Sequence, residues 1–114
     1  MKTVLAFAAL GFAALGLATP GFAEGLNVQY VRYTCDRDVQ IPATFVTGEE
    51  ESVLVMHIEG EQILLYQEVA ASGAKYSWPS GGASYVLWSK GAEATIFWRE
   101  GGVETQILAC TTME

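Results

Sequence analysis

The run Ser52-Val53-Leu54-Val55-Met56-His57-Ile58-Glu59-Gly60-Glu61-Gln62-Ile63-Leu64-Leu65-Tyr66-Gln67-Glu68-Val69 decides how this chain folds. Leu54, Met56 and Ile58 alternate with Val53, Val55 and His57, which is the two-residue period of a strand with one face toward a core. Glu59-Gly60-Glu61 is short and polar with glycine at its centre, so the chain turns there. It then returns along residues 62–69 through Ile63-Leu64-Leu65-Tyr66. The expectation is an antiparallel hairpin.

The same signature extends in both directions. Toward the N-terminus, residues 27–35 read as a strand, with Val28 and Tyr30 on one side and Val31 and Tyr33 on the other. Asp36-Arg37-Asp38 is a polar turn, and residues 39–47 form an extended run in which Pro42 signals an edge position or a bulge. Gly48-Glu49-Glu50-Glu51 is a hairpin loop whose three acids are most simply a solvated tip. Toward the C-terminus, Lys75-Tyr76-Ser77-Trp78 is a short strand followed by the turn-rich Pro79-Ser80-Gly81-Gly82. Tyr85-Val86-Leu87-Trp88, residues 94–99 and residues 103–110 complete the set, separated by Ser89-Lys90-Gly91 and by Glu100-Gly101-Gly102. About eight short strands at regular spacing, with no helix-length amphipathic pattern, predict an all-β fold. An up-and-down antiparallel sheet closed into a small eight-stranded barrel leaves no edge unpaired. At this size the interior is filled by side chains rather than by a ligand.

Residues 1–23 stand apart. Met1-Lys2 gives a positive start, an Ala- and Leu-rich apolar run follows, and Thr19-Pro20-Gly21-Phe22-Ala23 ends it on a small residue. This is the pattern of a secretory signal peptide cleaved after Ala23. The competing membrane anchor is disfavoured because the run is short and is closed by Pro20-Gly21. No cysteine follows that could take a lipid anchor, so residues 24–114 are expected as one exported, soluble domain without a membrane anchor. Its two cysteines, Cys35 and Cys110, sit near the ends of that domain. In an oxidising compartment they invite a disulfide that staples the first strand to the last; two buried free thiols are the alternative. Two distant cysteines and one histidine are too few for a metal site, and no cofactor is expected. A formal net charge of −7 disfavours nucleic acid and anionic membrane surfaces, and favours a basic partner.

Catalytic patterns are missing. His57 is the single histidine, lies mid-strand, and has no acid at a triad-like position; no serine sits in a nucleophile elbow. Glu49, Glu50 and Glu51 are consecutive at a tip, with nothing to separate their pKa values. No phosphate-cradling loop and no CxxC occur. The chain reads as a non-enzyme. Trp78, Trp88 and Trp98 could form a stacking platform for sugars, which would make this a glycan- or ligand-binding barrel; interleaved at strand spacing, they fit core or sheet-face positions better.

Two turns differ from the acidic or glycine-only tips elsewhere. Ser72-Gly73 offers a hydroxyl and Ser89-Lys90-Gly91 a cation, each beside a glycine that lets the backbone bend sharply. Ala71-Ser72-Gly73-Ala74-Lys75-Tyr76 and Trp88-Ser89-Lys90-Gly91-Ala92-Glu93-Ala94, preceded by Tyr33-Thr34-Cys35-Asp36 and closed by Leu108-Ala109-Cys110, resemble one family in order and spacing. The chain is similar to the periplasmic and membrane-bound inhibitors of c-type lysozyme (MliC/PliC). The resemblance implies an eight-stranded barrel with a Cys35–Cys110 disulfide. It also implies an inhibitory face in which Ser72, Gly73, Tyr76 and Lys90 meet the lysozyme cleft. Two departures matter. The segment 77–84 looks longer than usual, which puts the spacing of Ser72 and Lys90 in question, and Ala92 stands where an acid is common.

Overall fold

The computed structural model describes residues 25–112, so the signal-peptide reading of residues 1–23 lies outside the described residues. Eight strands follow in order: β1 (Asn27–Cys35), β2 (Gln40–Thr47), β3 (Ser52–Ile58), β4 (Glu61–Glu68), β5 (Ala74–Ser77), β6 (Ser84–Lys90), β7 (Glu93–Glu100) and β8 (Val103–Thr112). Each pairs with the next, and β1 pairs with β8 to close the barrel. The fold is the expected one.

The β3–β4 hairpin keeps one register from Val53↔Tyr66 to Ile58↔Glu61. Alternation then does the rest: Leu54, Met56, Ile58 and Leu65 are buried, whereas His57 is exposed opposite Gln62. Ile41 and Ala43 from β2, Leu87 from β6, Ile96 from β7 and Leu108 from β8 complete a side-chain-filled interior. Pro42 pairs with Arg32 of β1 but lies beyond the β2–β3 register, which begins at Ala43↔Met56, so its missing N–H breaks no ladder on that side.

The seam between β1 and β8 is short: Tyr33↔Thr112, Thr34↔Thr111 and Cys35↔Cys110. The last of these facing pairs is a disulfide, which closes the barrel covalently at its seam. The Asp36–Asp38 turn beside it holds Arg37 and Asp38 in the left-handed region, and Asp36 Oδ2 accepts a hydrogen bond from Ala109 N–H at 2.9 Å.

Two details depart from simple alternation. The β7–β8 register steps from Ile96↔Leu108 to Phe97↔Gln106, leaving Ile107 as an extra residue in a bulge. Val86 and Leu87 are adjacent in β6, yet both are 0% exposed. Leu87 belongs to the interior. Val86 points outward, and its burial shows that the outer face is covered where it lies, beside its register partner Phe97.

Candidate protein-recognition face

The same outer face carries a set of charged side chains. Arg99 of β7 donates to Glu68 Oε2 at 2.9 Å and to Glu104 Oε2 at 2.6 Å, tying β4 and β8 across it. Lys75 of β5 joins them, with its ammonium 3.3 Å from Glu104 and 3.9 Å from Glu68. The buried Ser77 hydroxyl donates to Glu68 from below. The Arg99 hydrogen bonds hold the Glu68 carboxyl below its usual range. Burial opposes the same shift at Glu104, but donors from Arg99 and Lys75 outweigh it. Both groups are partly exposed, so each pair contributes little alone. Their value is positional: Lys75 is fixed.

Next to Lys75 in the pairing stands Trp88, through Lys75↔Trp88. The Lys75 ammonium lies 4.5 Å from the indole centroid, and the Lys90 ammonium lies 4.4 Å from it. Both distances are within the range of cation–π attraction. The indole N–H of Trp88 donates to the Ser72 carbonyl oxygen at 2.8 Å. One side chain therefore touches both of the turns singled out in the sequence.

Backbone register brings those turns together as well. Ala74↔Ser89 is the first pair of the β5–β6 ladder, so Gly73 and Lys90 face each other just beyond it. A Cβ on Gly73 would sit 2.3 Å from the Ser89 carbonyl oxygen and 2.7 Å from Lys90 Cγ, and Gly73 has φ +67°. Only glycine meets both conditions. Gly91, with φ +63°, needs glycine for its backbone angle alone, since nothing lies near its missing Cβ. The turn after Lys90 is pinned by a hydrogen bond from Thr112 N–H to the Ala92 carbonyl at 2.9 Å. Across that turn, Lys90 pairs in register with Glu93, which supplies an acid near the position where Ala92 lacks one.

Of the four site residues expected from the sequence, three lie on this surface. Ser72, Gly73 and Lys90 are exposed and adjacent. Tyr76 is not among them: it is 5% exposed, and its ring packs edge-on against Phe45 in the barrel at 5.4 Å. Lys90 is the last residue of β6 rather than part of a turn, because its pairing with Glu93 extends the strand past Ser89. The 78–83 loop closes the other end of the β5–β6 hairpin, so its length does not set the spacing of Ser72 and Lys90. The register does.

The three tryptophans do not form one platform. Trp88 opposes Thr95 and Trp98 opposes Tyr85. Thr95 and Trp98 are three residues apart on β7, so Trp88 and Trp98 occupy opposite faces of the sheet. Trp98 packs edge-on against Tyr85 at 5.1 Å, and Trp78 lies against Tyr66 at 6.0 Å.

The structure is thus a closed eight-stranded antiparallel barrel with one disulfide and a serine–lysine surface built across two neighbouring strands. The chain belongs to the family described as membrane-bound lysozyme-inhibitor of c-type lysozyme, whose model matches residues 33–104 and so spans the whole of this surface. A protein of that description from Cupriavidus necator is 32% identical over 64 residues. Those residues are 56% of this chain and 48% of that protein, so the chain spans about half the length of the relative it matches. Among solved structures, Pseudomonas aeruginosa MliC in complex with hen egg white lysozyme aligns with a TM-score of 0.61 at 25% identity, covering 76% of this chain and 83% of that one. PliC-St, the periplasmic lysozyme inhibitor of C-type lysozyme from Salmonella typhimurium, shares the fold, with a TM-score of 0.61 at 23% identity over 77% of this chain and all of that one.

Proposed function

We propose that this protein inhibits c-type lysozyme in the bacterial periplasm by placing Ser72 and Lys90 against the catalytic carboxyl groups of the enzyme. The observation that carries this reading is the juxtaposition of Gly73 and Lys90 at the open end of the β5–β6 ladder. Adjacent strands lie about 4.8 Å apart, so Lys90 at the end of β6 and Ser72, next to the facing Gly73, are within reach of one cleft. The two carboxyl groups of a retaining glycosidase are about 5–5.5 Å apart, one a proton donor and the other ionised. A serine hydroxyl both donates and accepts, and suits the group that changes protonation. An ammonium suits the ionised one, and exclusion of water strengthens the pairing. Among the described residues, no carboxylate lies within 4 Å of the Lys90 ammonium, so its charge is left for a partner.

Tyr76 acts from inside. Its ring anchors β5 against Phe45 and thereby holds the strand that carries Gly73. Export supplies the compartment in which the disulfide forms. The test is titration of a c-type lysozyme with the purified protein while lysis of bacterial cell walls is followed. Lysis should stop near one equivalent. Unimpeded lysis at a large excess, together with quenching of tryptophan fluorescence by soluble glycan, would replace this reading with a glycan-binding one.

A further inference from the structure

We infer that Trp88 is the positioning residue of this face: it fixes the Ser72 loop and the Lys90 side chain relative to one another, with Lys75 as its clamp. The functional part of this inference rests on the inhibitory reading above; the geometric part does not.

Three contacts converge on one indole. Its N–H holds the Ser72 carbonyl at 2.8 Å, and its ring carries the ammonium groups of Lys90 at 4.4 Å and Lys75 at 4.5 Å. A lysine ending a strand at the protein surface has four rotatable bonds and no reason to hold one direction. Resting on the indole removes much of that freedom before any partner arrives, which lowers the ordering cost of binding. Residues 71–73 belong to no strand, and the indole N–H is a side-chain donor that restrains them. The indole thus carries a fixed orientation from one recognition element to the other.

The two lysines have different parts. Lys75 is partly buried, with its side chain 15% exposed, and is engaged by Glu104 and Glu68, which Arg99 in turn fastens to β7. Its charge is already answered within the barrel. Lys90 is exposed and shares only the ring. The Glu68–Arg99–Glu104 cluster therefore holds Lys75, Lys75 holds the indole, and the indole presents Lys90 and Ser72. The tryptophan works by placing other groups.

The test has one arm without lysozyme and one with it. In the free protein, NMR should show the Trp88 indole N–H exchanging with solvent more slowly than that of Trp78, and the Lys90 ε-methylene protons shifted upfield by the ring. Trp88→Leu should abolish that shift. Trp88→Phe, which keeps a ring but has no N–H, should retain most of it while the amides of residues 71–73 exchange faster. In the inhibition arm, Trp88→Leu should weaken inhibition about tenfold, the scale of one cation–π contact plus one hydrogen bond. In a Ser72→Ala/Lys90→Ala background the same change should cost less than about twofold, because nothing remains to position. Fast indole exchange together with an unchanged Lys90 shift in Trp88→Leu would overturn the coupling, whatever lysozyme does. Equal losses in both backgrounds would overturn its functional role. Failure of the wild-type protein to inhibit would refute the inhibitory reading, and the first arm would then still decide the geometry.

Discussion

Replacing Gly73 by alanine probes the recognition face at its tightest point. The added methyl would lie 2.3 Å from the Ser89 carbonyl oxygen, a backbone atom in the β5–β6 ladder, and 2.7 Å from Lys90 Cγ. It would also impose an L-residue on φ +67°, which costs about 1–2 kcal/mol before any clash is counted. The lysine stem can swing aside cheaply, whereas the carbonyl cannot, so the 71–73 segment must lift away from β6. A total loss of about 2–3 kcal/mol corresponds to a fall in Tm of roughly 10–20 °C for a domain of this size. Lifting the loop also draws the Ser72 carbonyl from the Trp88 N–H and displaces Ser72 relative to Lys90. Inhibition should therefore weaken by about thirtyfold or more at temperatures where the variant remains folded, the effect of losing an interface hot spot. Gly91→Ala is the control. It meets the same backbone penalty at φ +63° with nothing near the new methyl, so a Tm loss of about 4–16 °C is expected with a much smaller effect on inhibition. Scanning calorimetry and lysozyme titration on the two variants provide the comparison. Equal inhibition by Gly73→Ala and the wild-type protein would refute the claim that close packing of these strands builds the face.

Three further outcomes follow from the same geometry. Replacing Cys35 and Cys110 by alanine opens a 75-residue separation at a seam of three register pairs. The chain-entropy model assigns that closure about 4 kcal/mol, so Tm should drop by roughly 20 °C or more; a drop under about 5 °C would show that the seam holds without it. Glu68 and Glu104 both titrate below their ordinary value of 4.5, so the stability they contribute is complete above that value and is lost as pH falls through their lowered folded values. Urea unfolding between pH 5 and about pH 2.5 should show this acid loss, and Glu68→Gln should flatten it; an unchanged slope would remove the cluster from the account. With a formal net charge of −7, the chain should associate more slowly with a basic partner as salt rises. Ionic strength from about 0.01 M to about 1 M shortens the screening length from about 30 Å to about 3 Å, and the change should appear in the association rate, while an effect confined to dissociation would argue against steering.

The barrel was legible because its strands alternate cleanly where one face meets solvent. Leu54, Met56 and Ile58 announce an inner face, and polar tips such as Glu59-Gly60-Glu61 announce the returns. The limits of that reading were physical. Ser89-Lys90-Gly91 has the composition of a turn, but pairing of Lys90 with Glu93 carries β6 to its end, a cross-strand term that no local pattern contains. Val86 next to Leu87 defeats period-two reasoning because the outer face at Val86 is itself buried, on a side of the sheet that also carries Phe97 and a charged cluster assembled from four different strands. Motif matching placed Tyr76 on the surface with its neighbours, whereas its position one step from Lys75 in a strand turns it inward. Lys75 and Trp88 were both visible as residues. That they meet depends on the Lys75↔Trp88 register, which sequence spacing does not disclose.

The central claim is that Ser72 and Lys90 together carry inhibition, and one measurement addresses it most directly: the inhibition constant of the Ser72→Ala/Lys90→Ala variant against a c-type lysozyme, with the fold checked by circular dichroism. The account predicts a folded barrel whose inhibition is weaker by about 2 kcal/mol or more, roughly thirtyfold. A folded double variant that inhibits as tightly as the wild-type protein would contradict it.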